Sequence, residues 1–575
     1  MNNQQISQIF EDIGNLLDIE GANRFRVLAY KNAAENIKGL GRELKNLYQE
    51  NPDKITKITG IGKDLSEKIS EILETGKLEY HQNLIDKYGS GLLDILKIRS
   101  IGPKKVKLFY QELGIDNLIK LKKAAESNQL SNLSGMGTKS EKEILEAIKE
   151  HEKYHLRMRV DQAYLEAKKI IKYLKFNSDI QQLKFAGSLR RGKATIGDID
   201  ILISPKKIEQ SKSIIKYFQK YSEISNIIAD GPTKTSVIMK SGIQADIRIV
   251  EKKSFGAALH YFTGSKEHNV AIREIAKQHD LKVNEYGIFN KDNQQLAGKT
   301  EKEMYNRLNL AYIHPRLREN RGELEAAKNN KLPKPIKLKD LIGDLHMHST
   351  WSDGKNTIEE IAENYHKHGF QYIAITDHSK SLAIANGLDE QRFREQWKEI
   401  DKINKKYKNK IKILKGIECD IMSDGRLDFP DDFLKNFDIV IASVHAGMKR
   451  DQDQTDRIIN ALKNPNIKIL GHPTGREINV REPYQLNMDK VFKAAKDSNV
   501  AIEINSQPKR LDLADYYIKI GKENGNEFAI NSDSHTIDGI ENFRYGIWNA
   551  QRGWLEKSDV INTKKLQQLK SSFEK

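Results

Sequence analysis

From residue 343 to residue 535 the sequence repeats one plan, a short apolar run that ends in a histidine, aspartate or glutamate. Gly343-Asp-Leu-His-Met-His-Ser-Thr350 sets His346 and His348 on one face of an extended segment, with Asp353 just beyond in Ser-Asp-Gly. Ile373-Ala-Ile-Thr-Asp-His378, Lys415-Gly-Ile-Glu418, Ala442-Ser-Val-His445, Ile469-Leu-Gly-His472 and Ile530-Asn-Ser-Asp-Ser-His535 follow the same plan. A single histidine at a strand end is ordinarily structural, because ordinary hydrogen bonds satisfy a neutral imidazole. Six of them, joined by Asp353, Glu418 and Asp533, converge on one cluster if the strands form a barrel whose loops share a rim. Helical stretches over 357–367 and 489–496 alternate with the runs, as a β/α barrel requires. Mixed imidazole and carboxylate groups suit manganese, zinc or iron better than magnesium. Cys419, beside Glu418, reads as a small core residue, with a soft metal ligand as the other reading.

A second stretch carries a different chemistry. AGSLRRGKATIGDIDIL, residues 186–202, runs from a small-residue turn at Gly187-Ser188 through Arg190-Arg191 to a second glycine, Gly197, and then Asp198-Ile199-Asp200. On a strand, Asp198 and Asp200 aim at one spot while Ile199, Ile201 and Ile203 line the opposite, buried face. Two such carboxylates repel each other unless a hard divalent cation lies between them. The plain alternative is a pair of solvated carboxylates at a sheet rim. Upstream, a glycine turn frees backbone N–H groups for a phosphate, Ser188 adds a hydroxyl, and Arg191 adds a guanidinium fork. Phosphate donors beside metal carboxylates are the parts phosphoryl transfer needs.

The first 150 or so residues read as short helices broken by glycine. Ile6, Ile9, Phe10, Ile13, Leu16 and Leu17 keep helical spacing. Three similar punctuations follow: Ile58-Thr-Gly-Ile-Gly-Lys63, Ile98-Arg-Ser-Ile-Gly-Pro-Lys104 and Leu133-Ser-Gly-Met-Gly-Thr-Lys139. A glycine hairpin feeding a helix N-terminus exposes N–H groups to a phosphate, and a following lysine adds charge. Gly60, Gly62 and Lys63, Gly102 and Lys104, and Gly135 and Gly137 are therefore candidate contacts to a nucleic-acid backbone. One such turn alone is more often a plain helix connection. The middle copy departs from the pattern, with Ser100 in place of the first glycine.

Bulk properties agree with that partner. A formal charge of +16 and an isoelectric point near 9.3 favour a polyanion, nucleic acid before membrane, although a genomic bias towards lysine, asparagine and isoleucine gives the same composition. One cysteine permits no internal disulfide and fits an intracellular home. With no apolar run of about 18 residues and no signal-peptide pattern, the expectation is a soluble cytoplasmic monomer that does not engage membranes.

GSLRRGKATIGDIDIL resembles the nucleotidyltransferase signature of family X DNA polymerases. The resemblance implies that Asp198 and Asp200 bind two ions, Mg2+ or Mn2+, and that Asp246, in Gln244-Ala-Asp-Ile-Arg-Ile-Val250, is the third carboxylate, on the primer-side ion. It implies nucleotide contacts at Gly187, Ser188, Arg191 and Gly197, and a sugar-sensing segment at Tyr261-Phe-Thr-Gly-Ser265, with Tyr261, Phe262 and Gly264. An aromatic pair before a turn is otherwise ordinary core. Asn269 would touch the incoming base and Arg273 the template strand. GIGKDLSEKI is similar to the family's lyase domain, in which the lysine matching Lys68 forms a Schiff base with a deoxyribose-phosphate end. Lys63 is the neighbouring cation expected to assist it, and a helix lysine touching DNA phosphate is the plain alternative. Tyr30 and Lys31 resemble further parts of that end-binding surface.

The histidine-rich half resembles the PHP (polymerase and histidinol phosphatase) family, whose barrel holds a trinuclear site for phosphoester hydrolysis. All nine positions of that set are filled: His346, His348, Asp353, His378, Glu418, His445, His472, Asp533 and His535. The implied organisation is multidomain: a helical lyase-like domain with a helix-hairpin-helix (1–85), a fingers-like helix-hairpin-helix region (86–155), an α+β nucleotidyltransferase palm (156–255) and a thumb-like nucleotide-selection domain (256–328). Asn329-Asn-Lys-Leu-Pro-Lys-Pro-Ile-Lys-Leu-Lys339 lies in a linker (329–340), before a distorted β/α barrel of PHP type (341–575). The expected activity is gap-filling DNA polymerisation in repair with a metal-dependent 3′-5′ exonuclease and action at abasic sites. The expected partners are gapped or nicked DNA with a primer 3′ end and a 5′-phosphate, and dNTPs. Two rivals remain: a phosphoesterase tethered to DNA by a non-polymerising N-terminal half, and a non-catalytic DNA end-binding protein.

Overall fold

The computed structural model describes residues 3–38, 40, 44–89, 91–98, 101–154, 157–447 and 452–573. Ser100, where the middle hairpin departs from glycine, lies outside the described residues. Among the described residues no helix is long and apolar enough to cross a membrane.

The N-terminal part is helical. Helix Asn3–Glu20 buries Ile6, Phe10, Ile13, Leu16 and Leu17 against helix Arg24–Lys38, which supplies Val27, Tyr30, Ala33, Ala34 and Ile37. One apolar cluster runs on from there to Ile144 and Ile148, so the two helical regions share a core. Each hairpin is pinned by an apolar residue between its turn positions: Ile61 and Ile101 are buried and Met136 half-buried. Gly62 and Gly102 cap helices Lys63–Thr75 and Pro103–Leu113 without any side-chain cap, so the N–H groups of Lys63, Asp64 and Leu65 in the first helix and of Lys104 in the second are left for an outside acceptor; Pro103 has no N–H, and Lys105 N–H donates to Gly102 O at 2.9 Å.

The middle of the chain is a five-stranded mixed sheet in the order Ile180–Phe185, Asp198–Pro205, Gln244–Ile249, Lys234–Met239, Ile224–Asp230. Ile199, Ile201 and Ile203 are at most 1% exposed and pack on helices Val160–Leu174 and Ser211–Gln219. Burial of that kind contributes roughly 1.5–3 kcal/mol per side chain. Asp198–Pro205 and Gln244–Ile249 run parallel, with Asp200 opposite Asp246. That register brings the third carboxylate beside the first two.

The C-terminal part is a parallel seven-stranded sheet in sequential order: Gly343–Asp344, Tyr372–Ile375, Lys412–Asp420, Ile439–Ser443, Ile469–Leu470, Ala501–Asn505 and Phe528–Asn531. A parallel bridge between Met347 and Ser534 joins the segments that follow the first and last strands, so the sheet is a nearly closed barrel. Its strands are buried on both faces, as parallel strands covered by helices must be.

The expected linker stretch is held against the barrel domain. Ile336 is fully buried, its N–H donates to Leu555 O at 3.0 Å, and its carbonyl accepts from Gln551 Nε2 at 2.6 Å. The barrel also completes the core of the middle domain. Leu511, Tyr545 and Trp548 belong to the same apolar cluster as Val160 and Ile199, and Trp548 meets Tyr164 edge-on at 5.2 Å.

Candidate active sites

At the middle sheet, carboxylate oxygens of Asp198, Asp200 and Asp246 lie within 4.8 Å of one another. Burial, then Asp198 and Asp246, push the Asp200 carboxyl up to about 7, and burial and Asp246 raise Asp198. Three acids held this way call for a countercharge. Gly187 makes the approach possible: its φ is +61°, and a Cβ there would sit 2.0 Å from Asp200 Oδ2. A cavity of about 450 Å3 opens beside the carboxylates, lined by Gly187, Ser188, Arg191, Asp198, Asp200, Tyr261, Phe262, Gly264, Asn269 and Arg273. Within it the buried hydroxyl of Ser188 and the Oδ1 of Asn269 have no hydrogen-bond partner. Asn269 Nδ2 is engaged with Tyr261 O at 2.7 Å.

Two expected nucleotide contacts sit differently from the sequence reading. Arg191 does not present an open fork: Nε donates to Glu319 at 2.8 Å and Nη1 to the carbonyl of Thr263, leaving Nη2. Gly197 is not among the lining residues; it makes room for Arg157, whose Nη1 would lie 3.0 Å from a Cβ there. Arg157, Lys193 and Lys266 also line the cavity. Lys193 follows the basic pair closely enough to have been read with it, whereas nothing in the sequence around Arg157 or Lys266 distinguishes them.

At the barrel's rim all nine expected residues meet. His378, His445 and His472 follow the second, fourth and fifth strands, Glu418 lies near the end of the third, and Asp533 and His535 follow the last. His472 Nε2 approaches Glu418 Oε1 at 2.9 Å, His378 Nδ1 approaches Glu418 Oε2 at 3.0 Å, and His348 Nε2 approaches Asp533 Oδ1 at 3.3 Å. Asp353 Oδ2 lies 3.3 Å from His535 Nε2. Ligand atoms of His348, Asp353, His378 and His535, of His346, His348 and Glu418, and of His378, Glu418 and His445 form three overlapping groups. His348 stacks on both His378 and His535 at 4.3 Å. Burial, with those two neighbours, lowers His348 to about 3. For His445 burial opposes the charge, but Glu418 and the bond to Asp420 prevail and raise it to about 10. His346 Nε2, both nitrogens of His348, and Nδ1 of His378 and His472 are buried without a hydrogen-bond partner. Such orphaned imidazole nitrogens, in a cluster that also holds buried carboxylates, fit a donor set for metal ions.

Other buried carboxylates orient this cluster. Glu503 accepts from Asn531 at 3.0 Å and the His472 N–H at 2.7 Å, and lies 2.7 Å from His346 Nδ1; Asp420 lies 2.6 Å from His445 Nδ1. An imidazole fixed through one nitrogen presents the other in a set direction. The sequence reading missed both acids, although Glu503, a lone charge inside the strand Ala501–Asn505, is a legible signal. Cys419 points the other way, into the apolar core, and burial raises its thiol to about 12, so it is a core residue.

Comparison with known proteins covers nearly the whole chain. Family models match in chain order: a helix-hairpin-helix domain (1–78), a SAM-like helix-hairpin-helix tandem (92–150), DNA polymerase beta palm (157–255), DNA polymerase beta thumb (258–319) and a PHP domain (344–507). The Bacillus subtilis DNA polymerase/3′-5′ exonuclease PolX is 36% identical over 575 residues, 99% of each chain. The chain belongs to the PolX family. Its PHP half alone is also similar to a probable phosphatase of a Thermoanaerobacter species, 34% identical over 39% of this chain and 91% of the relative, and to one of Aliivibrio fischeri at 27%, over 39% and 90%. Both the polymerase and the PHP families imply dependence on metal ions, and the helix-hairpin-helix, palm and thumb matches imply a DNA substrate.

The helical part of this PolX-family chain departs from expectation at its proposed end-binding surface. Tyr30 is a core side chain, 2% exposed and packed between Phe10 and Tyr80, and Lys31 is paired with Asp18 at 2.7 Å. Lys68 is paired with the carboxylate of Asp64, and its Nζ lies 5.9 Å from the centre of the Tyr80 ring. Lys63, Lys104 and Lys139 are exposed, and a Cβ at Gly62, Gly102, Gly135 or Gly137 would meet open space. Gly60 is closed in by Asn36, 2.7 Å from where its Cβ would be.

Proposed function

We propose that this chain adds deoxynucleotides to a primer 3′ end in short DNA gaps during repair and hydrolyses phosphodiesters at 3′ ends in its barrel. The observation that carries the reading is the pairing of three converging carboxylates with a cavity that offers an unpartnered Ser188 hydroxyl and cationic side chains. Asp198 and Asp200 would hold two ions, Mg2+ or Mn2+, and Asp246 the primer-side ion. When bound, such ions supply Lewis acidity that eases loss of the 3′-hydroxyl proton and stabilises the leaving pyrophosphate. Ser188 and Arg191 Nη2 donate to triphosphate oxygens, with Lys193 adding positive charge. Tyr261 and Phe262 pack against the sugar, Asn269 meets the base edge, and Arg273 the template.

In the barrel, the nine clustered residues would hold manganese, zinc or iron ions that supply a hydroxide nucleophile for the phosphodiester. Glu503 and Asp420 fix His346 and His445. The hairpins would grip the DNA backbone through free N–H groups without reading sequence. The full-length match to a relative named as both polymerase and exonuclease supports the pairing of activities. A 5′-phosphorylated gapped duplex, incubated with dNTPs and Mn2+, tests the reading: extension with dNTPs and 3′ trimming without them are expected. Hydrolysis of a small phosphate ester with no action on the duplex would favour the tethered phosphoesterase, and binding without turnover would favour an end-binding protein.

A further inference from the structure

We infer that Arg552, a residue of the barrel domain, is a positioning residue of the nucleotide cavity, so that the polymerase site is completed by the hydrolytic half of the chain. Arg552 Nη1 donates to Glu319 Oε1 at 2.7 Å, the same oxygen that accepts from Arg191 Nε at 2.8 Å, and to the backbone carbonyl of Arg191 at 3.0 Å. Its Nη2 donates to Asp515 Oδ2 at 2.9 Å, which also accepts from Arg321 at 2.7 Å. Arg552 and Glu319 therefore form a clamp on both the side chain and the main chain of Arg191. The clamp is dry: the Arg552, Glu319 and Arg191 side chains are 3%, 9% and 11% exposed. Four cations, Arg191, Lys193, Arg321 and Arg552, surround two carboxylates, Glu319 and Asp515. The surplus positive charge reaches the cavity through Arg191 and Lys193, both of which line it. That suits a polyanionic ligand.

The contact is built into the turn that carries the phosphate donors. Gly192 has a φ of +67°, and a Cβ there would lie 3.1 Å from Arg316 Nε and 3.2 Å from Trp548 Cβ. Helix Phe543–Arg552 thus lies directly against the turn. Arg316 lies over the Trp548 ring at 4.5 Å, and Tyr164 meets that ring's edge. With two of Arg191's donors fixed inside the protein, the direction of the remaining Nη2 depends on the clamp.

The inference rests on the reading that this cavity takes a nucleoside triphosphate, and its test separates the two. Full-length wild type, Arg552→Lys and Arg552→Met are compared for dATP dissociation constant with Ca2+ by calorimetry, for KM and kcat in single-nucleotide gap filling, for bis(p-nitrophenyl) phosphate hydrolysis, and for thermal midpoint. Arg552→Lys keeps the buried charge but cannot span Glu319, the Arg191 carbonyl and Asp515 together. It is expected to raise the dATP dissociation constant and KM about tenfold, on the scale of one lost charge-assisted hydrogen bond, with kcat, hydrolysis and midpoint close to wild type. Arg552→Met, which leaves two buried carboxylates short of a partner, is expected to lose more triphosphate affinity and some thermal stability. An unchanged dATP constant in folded Arg552→Lys overturns the inference, as does a uniform loss across every readout. Wild type that binds dATP but inserts nothing overturns the polymerase reading alone, and wild type that binds no dATP overturns both.

Discussion

Replacing Asp200 by asparagine tests the electrostatics of the carboxylate site apart from its chemistry. The carboxyl is raised from 3.8 to about 7, by burial first and then by Asp198 and Asp246. Each unit is worth about 1.4 kcal/mol, so ionising Asp200 in the metal-free fold costs on the order of 4 kcal/mol. The folded value lies above the unfolded one. The cost is therefore absent below about pH 4, grows as the pH rises, and is complete above about pH 7. Asp200→Asn removes it, less whatever the buried amide forfeits. With metals chelated, the variant should melt higher than wild type at pH 8, by up to roughly 10 °C if the middle domain unfolds as one unit, and by clearly less at pH 5. Saturating Mn2+ should reverse the order, because only the wild-type site gains a tightly bound ion. Differential scanning calorimetry at the two pH values, with and without Mn2+, reads all three effects. Equal midpoints at pH 8, or a gain that does not shrink at pH 5, would refute the reasoning.

Other perturbations separate the parts. Glu503→Gln weakens the hold on His346, so metal content of the barrel and 3′ trimming should fall about 10- to 100-fold by elemental analysis and exonuclease assay, with gap filling retained. Gly187→Ala drives a methyl against Asp200 and strains a positive φ, so nucleotide insertion should fall on the order of 100-fold while trimming persists. If Lys68 is the lyase nucleophile, borohydride should trap wild type on a deoxyribose-phosphate end; an Arg or Ala variant at that position that traps equally well would reassign the nucleophile.

Much of the fold is legible because the sequence marks it locally. Six of the seven barrel strands lead into a histidine or acid of the cluster, so the rim can be read one segment at a time. The Asp198–Asp200 pair is likewise local, but its third member depends on a parallel register between strands far apart in sequence, which only the family resemblance supplied. Tyr30 is instructive: Val27, Tyr30, Ala34 and Ile37 form a helical stripe that points to burial, and the likeness to an end-binding surface overrode it. Ile336 left no signal, since one buried residue among prolines and lysines has no period. The clamp on Arg191 was invisible for a related reason, its bond joining residues 233 apart from two domains.

The most direct measurement of the two-site account compares one gapped, 5′-phosphorylated duplex with wild type, Asp198→Ala/Asp200→Ala and His346→Ala/His348→Ala. The account predicts extension and trimming by wild type, trimming without extension by the first variant, and extension without trimming by the second. Metal-dependent extension that survives in the first variant, or its full loss in the second alongside degradation, would contradict it.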